Sequence, residues 1–573
     1  MILKKINNYF LFILFSIFIY LLNPKVSEFS QFGSILSGLQ KFENDSYFIN
    51  LIYKDFSSQI VISSLITILF NSKLITEFLG GIINTIIAFL AIYHWVRLFD
   101  NSFKLNKNNQ RIFLCTIIFY ILEFDLNLSY PIKFPISYAI FGNSGMWLSI
   151  MVIGMMLRQK SSGYFFFGIL LSWHLAWSIL IFIIIFSIKN FFKTENKLNI
   201  KKILHFTLGL AISVIFYFYF LFKRNELLSF INLGDTYNYL SILKLKLIEP
   251  TQVTYHNIGL FDFFSFFKII LIISFGLHLI KSIKKLDIDL GFLKKIIINF
   301  SILGIFLTLY VSAASHVPLI GADIIARIIP NRIFNLLIII NSLLSFYFLS
   351  FLVENHAIDK KNILSLLLSI IWLNIAHSIS GFAVTILLIF ILIIKNLNYK
   401  KIIFNIPNQL INFFYIFIIV LLLMIKIFIL NKYYYTIYDY LANKNEVIKA
   451  LKNINARDGL ILTGPNIPPA HGFNIYLSTN AEYVLPLSTG FNKYFEDISK
   501  ITKCQKKPKL HMSFKYELDW YCMGNIKTSE WKKIYKRTSI SYVLMKNEKE
   551  FVPLKLPMIA QTNHFILYTL KTK

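Results

Sequence analysis

Predominantly apolar runs of about 20 residues recur along this chain, at 75–99, 203–222, 333–353 and 411–430 among others. Each is long enough to cross about 30 Å of hydrocarbon at about 1.5 Å per helical residue. A backbone in lipid must satisfy its own hydrogen bonds, which leaves helices as the only fold for such runs. The expected fold class is therefore a polytopic α-helical membrane protein. The formal charge of +29 does not point to nucleic acid here. Lysines in short loops set membrane topology and meet anionic lipid.

Loop charges order the spans. Lys4 and Lys5 put the N-terminus in the cytoplasm of a multi-pass plasma (inner) membrane protein. The run at 6–22 ends at Asn23-Pro24-Lys25, with no small-residue cleavage site, and reads as an uncleaved first span. It delivers residues 23–74 to the outer side. Within that loop, Gln59, Ser63, Thr67 and Asn71 make one polar stripe at helical spacing. The stripe suggests an amphipathic helix over 57–72 lying in the interface, with a short buried helix as the alternative. Lys104, Lys107 and Arg111 mark a cytoplasmic loop. A span at 112–123 leads to an outer turn at 125–135, and 138–157 returns. Basic residues on both sides of 163–188 require that run to leave and come back. It is long enough for one span only, so parity implies two half-length helices with Trp173-His174-Leu175-Ala176-Trp177 at their apex. A second tight pair, 363–376 and 382–394, is expected to turn outside at 377–381. The total is about thirteen spans, an odd number, which puts the C-terminus outside.

The chain thus divides into a membrane domain, 1–430, and a C-terminal α/β domain, 431–573, on the periplasmic or extracellular side. In the latter, strands are expected at 459–463, 482–487, 541–545 and 565–570, and helices at 445–454, 495–501 and 529–537. It has no phosphate-binding glycine loop, no metal-spaced Cys/His cluster and no nucleophile elbow. Cys504 and Cys522 are a disulfide candidate in an oxidising compartment; their spacing equally allows two free thiols.

Three polar clusters fall on the outer face. The first loop holds Glu43, Asp45 and Asp55. A long loop holds Arg224, Glu226, Asp235, Glu249, His256 and Asp262. A third stretch holds His316, Asp323, Arg327 and Arg332. Carboxylates and arginines at one interface suit transfer of a sugar from a polyprenyl phosphate. A carboxylate serves as general base for the acceptor, and Arg matches the phosphate oxygens of the leaving carrier. No cofactor is required by the sequence, although a divalent cation, Mg or Mn, could bridge Asp45 and the phosphate. The same residues also suit plainer roles: Asp45 and Asp55 as solvated charges or caps, His174 as an interfacial histidine, and Arg327 and Arg332 as headgroup anchors.

Several short motifs carry a resemblance. They are Asp45-Ser46-Tyr47-Phe48 and Tyr53-Lys54-Asp55-Phe56, Trp173-His174-Leu175 in a half-length hairpin, and Ile329-Pro330-Asn331-Arg332-Ile333-Phe334. In the C-terminal part they are Ala456 through Pro465, Gly472-Phe473 and Ile540-Ser541-Tyr542-Val543-Leu544. Together they resemble the GT-C superfamily of lipid-carrier-dependent glycosyltransferases, notably its bacterial and cyanobacterial members. Protein O-mannosyltransferases, aminoarabinose transferases and oligosaccharyltransferases belong to that superfamily. The resemblance implies catalytic roles for Asp45 and Asp55, with Asp45 favoured as the first acid of the loop. It implies donor-phosphate roles for Arg332, Arg327, His174 and His316. The implied partners are a polyprenyl-phosphate sugar donor, membrane lipid and a glycan, lipid or protein acceptor. The two aspartates stand further apart than in the superfamily, and Ser46 replaces its usual proline.

A transporter or flippase for a lipid-linked glycan or another anion is the alternative. Transporters show internal repeats and broken helices around a midplane site. No clear repeat is present, and most polar clusters lie at span ends.

Overall fold

The computed structural model describes residues 8–22, 56–105, 109–122, 141–187, 200–228, 263–314, 332–355 and 359–399 of the helical part. It also describes residues 24, 36, 37, 124–126, 128, 132 and 325 there. Further on it describes 460–463, 484–486, 498, 500–506, 517–538, 540–547, 553–562 and 565–571.

The helices are α1 (Asn8–Leu22), α2 (Ser58–Phe70), α3 (Lys73–Ser102), α4 (Asn109–Ile121), α5 (Phe141–Leu157), α6 (Ser161–Trp173), α7 (Leu175–Ser187), α8 (Ile200–Leu228), α9 (Phe263–Lys284), α10 (Gly291–Ala314), α11 (Arg332–Asn355) and α12 (Ile363–Tyr399). Six, namely α3 and α8 to α12, contain a stretch long and apolar enough to cross a bilayer. Helix α11 is the axis. It packs against α3, α4, α9, α10 and α12, and 94% of its apolar window is buried, against 17% for α8. Apolar character on all sides is what a central helix needs. On α8 the same character faces outward through Leu204, Ile215, Phe218 and Phe222, a surface only lipid or a partner can cover.

Helices α6 and α7 have 13 residues each, about 20 Å, too short to cross singly. His174 separates them in an extended conformation, with φ −158° and ψ 99°. The half-length pair expected from loop charges is present. Helix α12 is also broken, at Ser378, with φ 42° and ψ −121°. A side chain at Gly381 would strike the Leu373 carbonyl. An unbroken helix would hold those two residues about 12 Å apart, so the chain doubles back there. The turn is not at the outer surface, where the sequence put it. His377 Nε2 and Trp372 Nε1 both lie at Ser342 Oγ, at 3.1 and 3.0 Å, and Ser342 is about 15 Å along α11 from Arg332. The carbonyl of Ala376, freed by the break, accepts the amides of Asp125 (3.0 Å) and Leu126 (3.2 Å). An extended stretch beyond α4 thus satisfies the broken helix inside the bundle.

Two further expectations are corrected. The polar stripe of α2 does not face water. Gln59, Ser63 and Thr67 are fully buried, while Leu65, Ile68, Leu69 and Phe70 are exposed. Thr67 Oγ1 meets Thr76 Oγ1 of α3 at 3.0 Å. In apolar surroundings the polar face turns to the protein, where its hydrogen bonds are. Arg111 is not a loop charge either. It stands in the first turn of α4 and is 3% exposed, because Asp100 of α3 and Glu354 of α11 pair with it.

Further along the chain lie β1 (Leu460–Thr463), β2 (Val484–Pro486), β3 (Gln505–Lys506), β4 (Glu517–Leu518), α13 (Trp520–Asn525), α14 (Thr528–Thr538), β5 (Ile540–Lys546), β6 (Met558–Gln561) and β7 (Phe565–Thr569). Five strands form one mixed sheet in the order β2-β1-β5-β7-β6. The pairs β2-β1 and β1-β5 are parallel, and β5-β7 and β7-β6 antiparallel. Trp531 and Ile534 of α14 are buried in one cluster with Leu462, Val543 and Tyr568 of the sheet. A disulfide joins Cys504 to Cys522 across 18 residues. The strands expected at 459–463, 482–487, 541–545 and 565–570 and the helix expected at 529–537 agree with β1, β2, β5, β7 and α14 to within two residues; 445–454 lies outside the described residues. The short β6 and α13 were not anticipated.

Candidate functional site at the hairpin apex

The break between α6 and α7 is a hub. The Trp173 carbonyl, freed where α6 ends, accepts Ser57 Oγ–H at 2.8 Å and Gln59 Nε2–H at 2.9 Å. The start of α2 is thereby tied to the apex. The Trp173 indole N–H donates to Ser144 Oγ at 2.9 Å, and the Ser144 hydroxyl donates to Asn84 Oδ1 at 2.5 Å. The Trp177 indole N–H donates to the Gly142 carbonyl at 2.9 Å. Four elements, α2, α3, α5 and the α6–α7 pair, meet in this one chain of hydrogen bonds.

Helix α5 opens on Gly142-Asn143-Ser144-Gly145, small and polar residues ahead of an apolar run. Gly145 is required by His174: a Cβ there would lie 2.7 Å from the His174 Cβ. Arg332, at the start of α11, is buried, and lies close enough for its charge to reach the His174 imidazole. The structure therefore brings two of the residues singled out from sequence, His174 and Arg332, to the same end of the bundle within reach of each other's charge, although 158 positions separate them in the chain. Asp45, Asp55, His316 and Arg327 lie outside the described residues. The acidic loop nonetheless ends two residues after Asp55, at Ser57, which is bound to the apex.

The other end of the bundle differs in kind. Arg111 Nη1 donates to Asp100 Oδ1 at 2.6 Å and its Nη2 bonds Glu354; Arg97 lies 3.4 Å from Asp100 Oδ2, and the Tyr347 hydroxyl donates to Asp100 Oδ1 at 3.2 Å. Two guanidinium groups and two carboxylates balance there, clamping α3, α4 and α11. Arg332 and Glu354 stand at opposite ends of α11, about 33 Å apart along its axis. Asp100, Glu354, Arg97 and Arg111 thus form one balanced cluster at the end of α11 away from Arg332.

Sequence reasoning missed Asn84, Asn143, Ser144 and Gln59 as site residues. The polar start of α5, within an apolar stretch, signalled Asn143 and Ser144, and the polar stripe of α2 held Gln59; nothing signalled Asn84. Among the described residues no group of three His, Cys, Asp or Glu side chains could hold a metal ion. No known protein-family model, curated protein or solved structure matches the chain.

Proposed function

We propose that the protein is a glycosyltransferase of the GT-C kind, acting at the outer face of the plasma (inner) membrane. It transfers a sugar from a polyprenyl-phosphate-linked donor to an acceptor hydroxyl or amide. The observation that carries this reading is the meeting of Arg332 and His174 at an apex to which the end of the acidic loop is hydrogen-bonded. The disulfide supports placing the C-terminal part in an oxidising compartment.

The chemistry follows from these groups. An Asp carboxylate of the first loop takes the acceptor proton as the acceptor attacks the anomeric carbon. The bond from that carbon to the phosphate oxygen breaks, and the carrier leaves as polyprenyl phosphate. The Arg332 guanidinium stabilises the charge gathering on the leaving phosphate. A divalent cation held by the loop aspartates would add to that stabilisation. Asp55, two residues before the anchored Ser57, has the closer tie to the apex, although resemblance favours Asp45.

Transport of a lipid-linked glycan is the second reading, favoured by the α12 break at half the height of the bundle. One experiment separates them. Asp45→Asn and Asp55→Asn are expressed separately in cells and surface glycans are measured at equal protein level. Loss of a general base lowers transfer by about 100-fold or more in at least one variant. Unchanged glycans in both would sink the enzymatic reading.

A further inference from the structure

The bare side of α8 meets lysines at one end. Only 17% of its apolar window is buried, and Leu204, Leu208 and Ile215 are exposed. Their spacings of four and seven place them along one side of the helix. Lys201, three residues before Leu204 and seven before Leu208, stands on the same line in the first turn. Lys202 turns toward α6 instead. Its ammonium donates to Gln159 Oε1 at 3.0 Å and lies 5.5 Å from the centre of the Tyr164 ring.

The turn between α5 and α6 brings further charge to this end. Lys160 follows Gln159 and immediately precedes α6. Its charge and that of Arg158 both reach the His94 imidazole, whose Nδ1 lies 2.7 Å from Arg158 Nη1. Arg158 is thereby drawn inward, 5.7 Å above the Tyr93 ring. The lysines stay at the surface, Lys160 exposed and Lys202 partly so. Among the described residues neither of these two is ion-paired, and an ammonium has three donors of which Lys202 spends one on Gln159. Both also stand at the N-terminal ends of helices, where the dipole is already positive. Cations set against positive helix ends gain from an anion.

We infer that this end of α8 holds an anionic phospholipid. Its phosphate sits between Lys201 and Lys202 with Lys160 beside it, and its acyl chains lie along Leu204, Leu208 and Ile215. Such a lipid answers both features at once, with negative charge at the head and apolar surface below it. A free anion would leave the α8 face bare. A second copy of this chain, paired through α8 about a two-fold axis, would bring its own lysines against these, like charge on like. Helix α6 has 13 residues, so this end lies about 20 Å from His174. The lipid site therefore stands independent of the glycosyl-transfer reading.

The test uses the full chain purified in detergent, with bound ligand counted by native mass spectrometry. Dioleoyl phosphatidylglycerol, dioleoyl phosphatidylcholine and glycerol phosphate are each titrated for a dissociation constant. At about fivefold per lysine, phosphatidylglycerol should bind the wild type about tenfold or more tightly than phosphatidylcholine. Lys160→Gln combined with Lys202→Gln should lose about tenfold in affinity for phosphatidylglycerol and none for phosphatidylcholine. Its melting temperature without added lipid should match the wild type, since both side chains are at the surface. Lys160→Arg with Lys202→Arg keeps the charge and should keep the preference. Lys294→Gln with Lys295→Gln removes the same charge from two exposed residues of α10 and should leave the preference intact. Three results overturn the site: wild-type affinity for phosphatidylglycerol in the first pair, an equal loss in the α10 pair, or glycerol phosphate binding as tightly as the lipid. A dimer that persists when lipid is stripped, and that shields α8 from a reagent on a cysteine at position 208, overturns it as well.

Discussion

Arg111 shows what one buried charge does in this bundle. Its guanidinium spreads two arms, one to Asp100 and one to Glu354, and lies 5.5 Å above the Tyr347 ring. A planar fork can serve two carboxylates on different helices at once, where a lysine ammonium offers a single point of charge. Removing it leaves Asp100 buried with only Arg97 and the Tyr347 hydroxyl beside it. Arg111→Ala should therefore destabilise by about 3–5 kcal/mol, seen as a lower melting temperature of the detergent-solubilised protein. Arg111→Lys should recover only part of the loss, and Glu354→Gln should cost less, since its side chain is 18% exposed. The residue type was legible; its role was not. Lys104 and Arg111 look alike as loop charges. What distinguishes Arg111 is that Asp100, eleven positions earlier, and Glu354, in another span, close around it. At the apex the same holds. His174 was legible from parity and its aromatic neighbours, while Asn84 gave no sign until α3 and α5 were side by side.

Element packing depends on small residues. Gly168 of α6 and Gly209 of α8 let two backbones touch: a Cβ at 168 would lie 2.6 Å from the Phe206 carbonyl, and one at 209 would strike that of Phe165. Such close approach lets van der Waals contact and polar links hold helices where lipid gives no hydrophobic drive. One turn away, Ser172 donates to Ser213 at 2.7 Å, and Ser213 donates to the Gly168 carbonyl at 2.9 Å. Gly209→Leu should force α6 and α8 apart and break both bonds, giving a lower melting temperature. Protease should then cut sooner within 161–228, while Ser213→Ala alone should be mild, about 1 kcal/mol. Helix existence and period were legible throughout this region because apolar runs and polar stripes are local features. The direction of the α2 stripe was not. A period of 3.6 gives a polar face but not which way it points, and in an apolar medium the answer is toward the protein.

At the scale of the whole molecule, the chain joins a helical part that lipid stabilises to a small mixed sheet with few buried side chains. The Cys504–Cys522 bond closes a short loop beside α13. Replacing both cysteines by serine should cost about 3 kcal/mol by the loop-entropy account. The readout is earlier proteolysis of residues 460–571 in the intact protein, with the helical part unaffected. A reductant should reproduce the effect on the wild type and leave the double serine variant unchanged.

The sequence by itself determined the class of solvent this protein folds in, and so its helical form. Long apolar runs permit nothing else, since hydrophobicity and span length are sums over neighbouring residues. It also determined the half-length pair around His174, because loop charges must alternate. Only the tertiary structure decided which buried polar groups come together. Arg111 and Arg332 are both buried arginines in the first turn of a helix, yet Arg111 is clamped between Asp100 and Glu354 while the charge of Arg332 reaches His174. That difference rests on which spans are adjacent, and adjacency is a property of the packed bundle that no stretch of the chain contains.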